Sequence, residues 1–144
     1  MVILDCERLA GRLDSLPLSV GLVKVKNCRI VETMEIFIEW DPQTIVKARD
    51  NGFRFSVENR WNPHLVHGMF YKRVGKKYKL MKIMATEAED ILVDTMDPDS
   101  AFQRISSFIS TGDLVACHGR DELCLNSLYG HFGSFYDHPT VNSQ

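Results

Sequence analysis

The densest run of chemically capable side chains lies in the middle of the chain. Lys72, Arg73, Lys76, Lys77, Lys79 and Lys82 place six positive charges within eleven residues, with Phe70, Tyr71 and Tyr78 among them. Cations gathered on one surface release counterions when they meet a polyanion, and neighbouring aromatic rings offer faces on which unpaired bases stack. Lysines at a hairpin tip also keep an edge strand soluble, so the cluster has a structural meaning beside the recognition one. Arg60 and Trp61, between Asn59 and Pro63, add a loop guanidinium and indole suited to partner contact.

Histidine and cysteine form the second group. His64 and His67 are three apart, and Cys117-His118 is followed by Cys124. Thiolate and imidazole are the usual ligands of structural zinc, but the two-residue cysteine spacing of a zinc ribbon is absent. His67 paired with Cys124 or Cys117 is the alternative arrangement for nucleophilic catalysis, since a thiol near a helix start is acidified and an imidazole serves as base. The stretch His67-Gly68-Met69-Phe70-Tyr71, with the glycine turn after it, resembles the first catalytic strand of permuted papain-like hydrolases and acyltransferases. In that family a cysteine on a later helix follows the histidine. The likeness spans fewer than twenty residues; Lys79 stands where a further polar ring is expected, and the family's cysteine motif is missing around Cys124. Downstream of the basic run, Glu87, Glu89, Asp90, Asp94, Asp97 and Asp99 form an acidic stretch without the spacing or glycine of a calcium loop. Phosphate-binding glycine loops, Gly-x-Ser-x-Gly elbows and His-Glu-x-x-His are also absent. No cofactor and no metal are expected.

These side chains need elements to position them. The spacing Cys6, Leu9, Leu13, Leu16 predicts an N-terminal helix with Asp5 as its cap and Pro17 as its stop. Gly21 to Lys26 alternates as a half-buried strand, and Ile30 to Trp40 is the clearest strand, with Met34, Ile36, Ile38 and Trp40 on one side. Asp41-Pro42 opens a helix carrying Ile45, Val46 and Ala48, which ends at Asn51-Gly52. Phe53 to Val57 alternates as a strand. Leu65 to Val74 and Tyr78 to Thr86 read as two strands joined at Gly75-Lys76. Ile91 to Val93 is a short strand; Asp97-Pro98 opens a helix with Ala101, Phe102, Ile105, Phe108 and Ile109 as its stripe; and Asp113 to Cys117 is the strand that follows. Strand, Asp-Pro, helix, glycine, strand thus occurs twice, and each unit favours a crossover between parallel strands. A last helix runs from about Asp121 to Tyr129. The sequence beyond His131 lacks periodicity, and residues 137–144 are expected as a flexible tail.

The whole reads as one α+β domain over residues 1–136. Its sheet is mixed and mostly antiparallel, with two strand–helix–strand units, a central β-hairpin and terminal helices. With 144 residues, 44% hydrophobic and 25% charged, the chain is large enough for one core and unlike a disordered segment. A net charge of −2 makes any polyanion argument local. No run reaches the ~18–20 apolar residues of a membrane span, and no signal peptide is read at the N-terminus. A cytoplasmic setting (the host's, for a viral protein) with reduced thiols is expected. The functional expectation is a small non-enzymatic binding or regulatory protein, of the kind found among phage and viral accessory proteins. Its basic hairpin would take RNA, DNA or an acidic protein partner, with a homodimer possible. A small Cys/His hydrolase or acyltransferase is the alternative.

Overall fold

The computed structural model describes residues 1–9, 13–50, 69–83 and 90–143; the side chains at 46, 48–50, 69–74, 77–78, 81–83 and 90–92 lie outside the description. The chain opens with a meander, β1 (Val2–Arg8), β2 (Pro17–Lys26) and β3 (Arg29–Phe37), followed by α1 (Pro42–Asp50). Next come β4 (Met69–Val74), β5 (Lys77–Ile83) and β6 (Asp90–Leu92), then α2 (Pro98–Phe108), β7 (Val115–His118), α3 (Asp121–His131) and β8 (Thr140–Ser143). A five-stranded sheet has the order β3-β2-β1-β7-β8, and β4-β5-β6 form a second sheet of three. In the larger sheet β1 pairs antiparallel with β2 but parallel with β7, and β7 pairs parallel with β8. The α+β class and the mixed, mostly antiparallel pairing agree with expectation.

The N-terminus does not. The segment expected to start a helix at Asp5 is a strand, in which Val2, Leu4 and Cys6 are buried while Ile3 and Asp5 are exposed. The period-2 pattern is already present in Val2-Ile3-Leu4-Asp5-Cys6, but the helical spacing of the leucines overlaps it. Leu13, part of that supposed stripe, is 53% exposed. Between β2 and β7 the β1 backbone finds hydrogen-bond partners on both sides, and this outweighs a weak local helical preference.

Other local signals are realised. Asp41 accepts hydrogen bonds from the Thr44 amide (2.8 Å) and hydroxyl (2.6 Å), and Asp97 does the same for Ser100 (2.8 and 2.6 Å). Each aspartate satisfies donors that an α-helix leaves open at its start. Ala101, Ile105 and Phe108 bury the predicted face of α2. The β2–β3 turn places Asn27 (φ 50°) and Cys28 (φ 60°) in the left-handed region, the geometry of a tight hairpin turn.

The second expected strand–helix–strand unit is rearranged, because β6 and β7 lie in different sheets. β6 pairs with β5, after which the chain crosses to the larger sheet through a parallel bridge between Met96 and Ile38. The parallel crossover is instead β7–α3–β8, whose last strand falls within residues expected as a flexible tail. The second strand of the first unit, 53–57, lies outside the described residues.

The core joins both sheets and the helices. Leu4, Leu18, Val20, Leu22, Ile36, Ile38 and Trp40 from the first three strands and the chain just after them meet Leu80 of β5, Ile105 of α2 and Leu125 and Leu128 of α3. The Trp40 indole N–H donates to the Pro17 carbonyl at 2.7 Å, so the large ring is buried without an orphaned donor. No described helix is long and apolar enough to cross a membrane.

Candidate functional site

The basic run folds back on itself as expected. β4 and β5 pair antiparallel with Lys72 opposite Lys79, Arg73 opposite Tyr78 and Val74 opposite Lys77. The turn is Gly75-Lys76, with Gly75 at φ 63°, where a side chain would be strained, and Lys76 is exposed at the tip. The backbone register therefore draws Lys72, Lys76, Lys77 and Lys79 into one short ribbon. Positions 72, 77 and 79 share one alternation of the ladder, while 73, 78 and 82 share the other with buried Leu80.

Lys79 already has a partner. Its ammonium donates to Glu39 Oε1 at 2.9 Å, and Glu39 Oε2 accepts from the Thr95 hydroxyl at 3.0 Å. This half-exposed pair fastens the three-stranded sheet to the end of the meander, with the carboxylate supplied by Glu39; Glu87, Glu89 and the Asp90 side chain of the acidic stretch lie outside the described residues. The side chains of Phe70, Lys72, Arg73, Lys77, Tyr78 and Lys82 lie outside the description, as do Arg60, Trp61, His64 and His67 altogether.

A second constellation forms where the parallel strands end. The carboxyl ends of β1 and β7 lie side by side, at the point where the sheet changes from antiparallel to parallel pairing. Gly119 (φ 62°) and Arg120 (φ 65°) turn the chain from β7 into α3. Asp121, the first residue of α3, is buried, with its side chain only 4% exposed. It accepts the Cys6 amide at 3.3 Å and pairs with Arg8 at 2.9 Å. The same guanidinium donates to the carbonyls of Gly119 (3.0 Å) and Leu13 (3.2 Å). Burial pushes the Asp121 carboxyl above its ordinary value; the Cys6 amide and Arg8 oppose the rise, and the charge of Asp5 adds to it. Glu122 accepts from Arg120 and from the Cys117 thiol. Burial acts to raise Glu122, yet these hydrogen bonds hold it below the usual carboxylate range.

Sequence reasoning missed this crest. Its partners stand more than a hundred residues apart in the chain, so no local spacing announces them.

Three of the four thiols, Cys6, Cys117 and Cys124, behave as core groups, whereas Cys28 is exposed in the β2–β3 turn. Cys124 is completely buried and shares a hydrogen bond with Cys6, which together with burial raises the Cys6 thiol well above its ordinary value. Burial and the Glu122 carboxylate likewise raise Cys117. A nucleophilic cysteine needs the opposite shift and an open approach. His118 faces the Ser143 carbonyl, 2.7 Å from Nδ1. Among the described residues no three His, Cys, Asp or Glu side chains are grouped so as to hold a metal ion. Comparison with known protein families and with curated proteins finds no match to this chain.

Proposed function

We propose that the protein binds single-stranded nucleic acid, using the β4–β5 hairpin as its phosphate-contacting element. The observation that supports this most is the hairpin register, which sets Lys72 against Lys79 and brings Lys77 beside the exposed Lys76 at a two-residue turn. Cations closely spaced along a ribbon suit a phosphate backbone, and Phe70 falls on the same alternation of the ladder as Lys72, Lys77 and Lys79, a position from which a ring can stack on bases, whereas Tyr71 and Tyr78 fall on the alternation of buried Leu80. A net charge of −2 confines the attraction to this patch. Binding alone, without chemistry, is favoured because the buried thiols are not activated and Arg8 already neutralises Asp121.

One experiment tests this reading. Fluorescence anisotropy with labelled single-stranded RNA and DNA at low salt is expected to show binding that weakens as salt rises. No binding to either strand type, with binding to an acidic polypeptide instead, overturns it.

A further inference from the structure

The two edges of the five-stranded sheet differ. β8 is a four-residue strand, whereas β3 runs for nine residues along the other edge. Its first five residues are exposed, with Ile30 at 67% and Val31 at 53%. Long edges are usually guarded by proline, charged side chains (lysine above all), bulges or a covering loop, because their unpaired N–H and C=O groups recruit other strands. β3 contains neither proline nor lysine; its charges are Arg29, Glu32 and Glu35, of which the two acids sit in the regularly paired part. Its one irregularity is a register slip opposite Lys24/Val25, near the hairpin turn, which leaves Glu32 to Phe37 in regular pairing with β2.

Beside this edge lies an open groove of about 530 Å³, lined by Glu32 and Met34 of β3 and by Ser100, Gln103, Arg104 and Ser107 of α2. The groove carries one acid from the strand and one base from the helix. A two-fold axis turns such a pair into its own complement, since each copy's Glu32 meets the other copy's Arg104. Parallel self-pairing would instead stack Glu32 on Glu32 and Glu35 on Glu35. Among the described residues of one chain Glu32 is held by Lys24 at 3.9 Å, and its side chain remains 58% exposed, so it is available to a partner.

We propose that β3 is the interface of a symmetric dimer, in which the β3 strands of two copies pair antiparallel, continue the sheet across the two-fold axis and exchange Glu32–Arg104 ion pairs. The occupant of this edge is a second copy of the chain. The interface lies on strand and helix surfaces other than the basic hairpin, so it stands or falls apart from nucleic-acid binding.

Sedimentation velocity on the full chain tests this, with circular dichroism confirming that each variant is folded. The unaltered protein is expected as a dimer at tens of micromolar. Glu32→Arg alone and Arg104→Glu alone should each weaken the dimer by roughly tenfold or more through like-charge contact, and the chain carrying both substitutions should recover it. Val141→Lys, on the opposite edge, should leave it unchanged. A monomeric unaltered protein overturns the proposal. So does a dimer indifferent to both single charge reversals, or one lost with Val141→Lys.

Discussion

Alanine at Lys72, Lys76 and Lys77 together is expected to flatten the salt dependence of nucleic-acid binding and to weaken binding at low salt. Each phosphate contact on a single strand contributes about 0.7 to the slope of log affinity against log salt. Losing three contacts should therefore lower the magnitude of that slope by about 2, with affinity falling roughly 100-fold under low-salt conditions. Lys79→Ala alone should do less, because its ammonium is already committed to Glu39 at 2.9 Å. Glu39→Gln should act the other way, releasing Lys79 towards the ligand and steepening the slope. The readout is anisotropy over a salt series. An unchanged slope in the triple variant would remove the hairpin from the binding surface.

Arg8→Ala should be the most destabilising single change at the crest where β1 and β7 end. It leaves the buried Asp121 carboxylate without its cation and abandons the Gly119 and Leu13 carbonyls that Arg8 also serves. Breaking one side of a buried ion pair costs about 3–5 kcal/mol, and because Arg8 keeps 19% of its side chain in water the loss should be about 3 kcal/mol. Arg8→Ala combined with Asp121→Asn should recover much of it, since the amide oxygen still accepts the Cys6 N–H and carries no charge.

The pH dependence has a definite sign. Asp121 has a raised folded value, so its contribution to stability is complete below the ordinary 3.8 and disappears as pH rises through the raised value. Removing Arg8 takes away a group that lowers this value, so the variant should regain stability on mild acidification more than the unaltered protein does. Asp97 acts oppositely: hydrogen bonds from Ser100 lower it, so its contribution is present above 3.8 and is lost as pH falls through the lowered value. Urea denaturation of both proteins at several pH values measures these effects. Equal pH profiles would mean that Asp121 is not the group Arg8 compensates.

What the sequence disclosed follows from how local each determinant is. Asp41-Pro42 and Asp97-Pro98 cap their helices within three residues, so both helix starts were legible. The β3 alternation and the Gly75-Lys76 turn are equally local, and both recur at the expected positions. β1 was misread because Cys6, Leu9, Leu13 and Leu16 fit a helical stripe, and only its place between β2 and β7 decides for a strand. β8 was missed because Thr140 to Ser143 has little apolar content and gains its order from β7. The Arg8–Asp121 crest was invisible for a stronger reason: its partners lie at opposite ends of the chain, and no spacing rule links them. The hairpin could be read because its chemistry and its geometry share the same dozen residues.

The central claim is that nucleic acid lies along β4 and β5. Photo-crosslinking a single-stranded oligonucleotide carrying 4-thiouridine, followed by peptide mapping, tests it most directly. The account predicts adducts within Met69–Ile83, suppressed by salt and by alanine at Lys72, Lys76 and Lys77. Adducts confined to the Cys117–Cys124 region, or spread evenly over the surface, would contradict it.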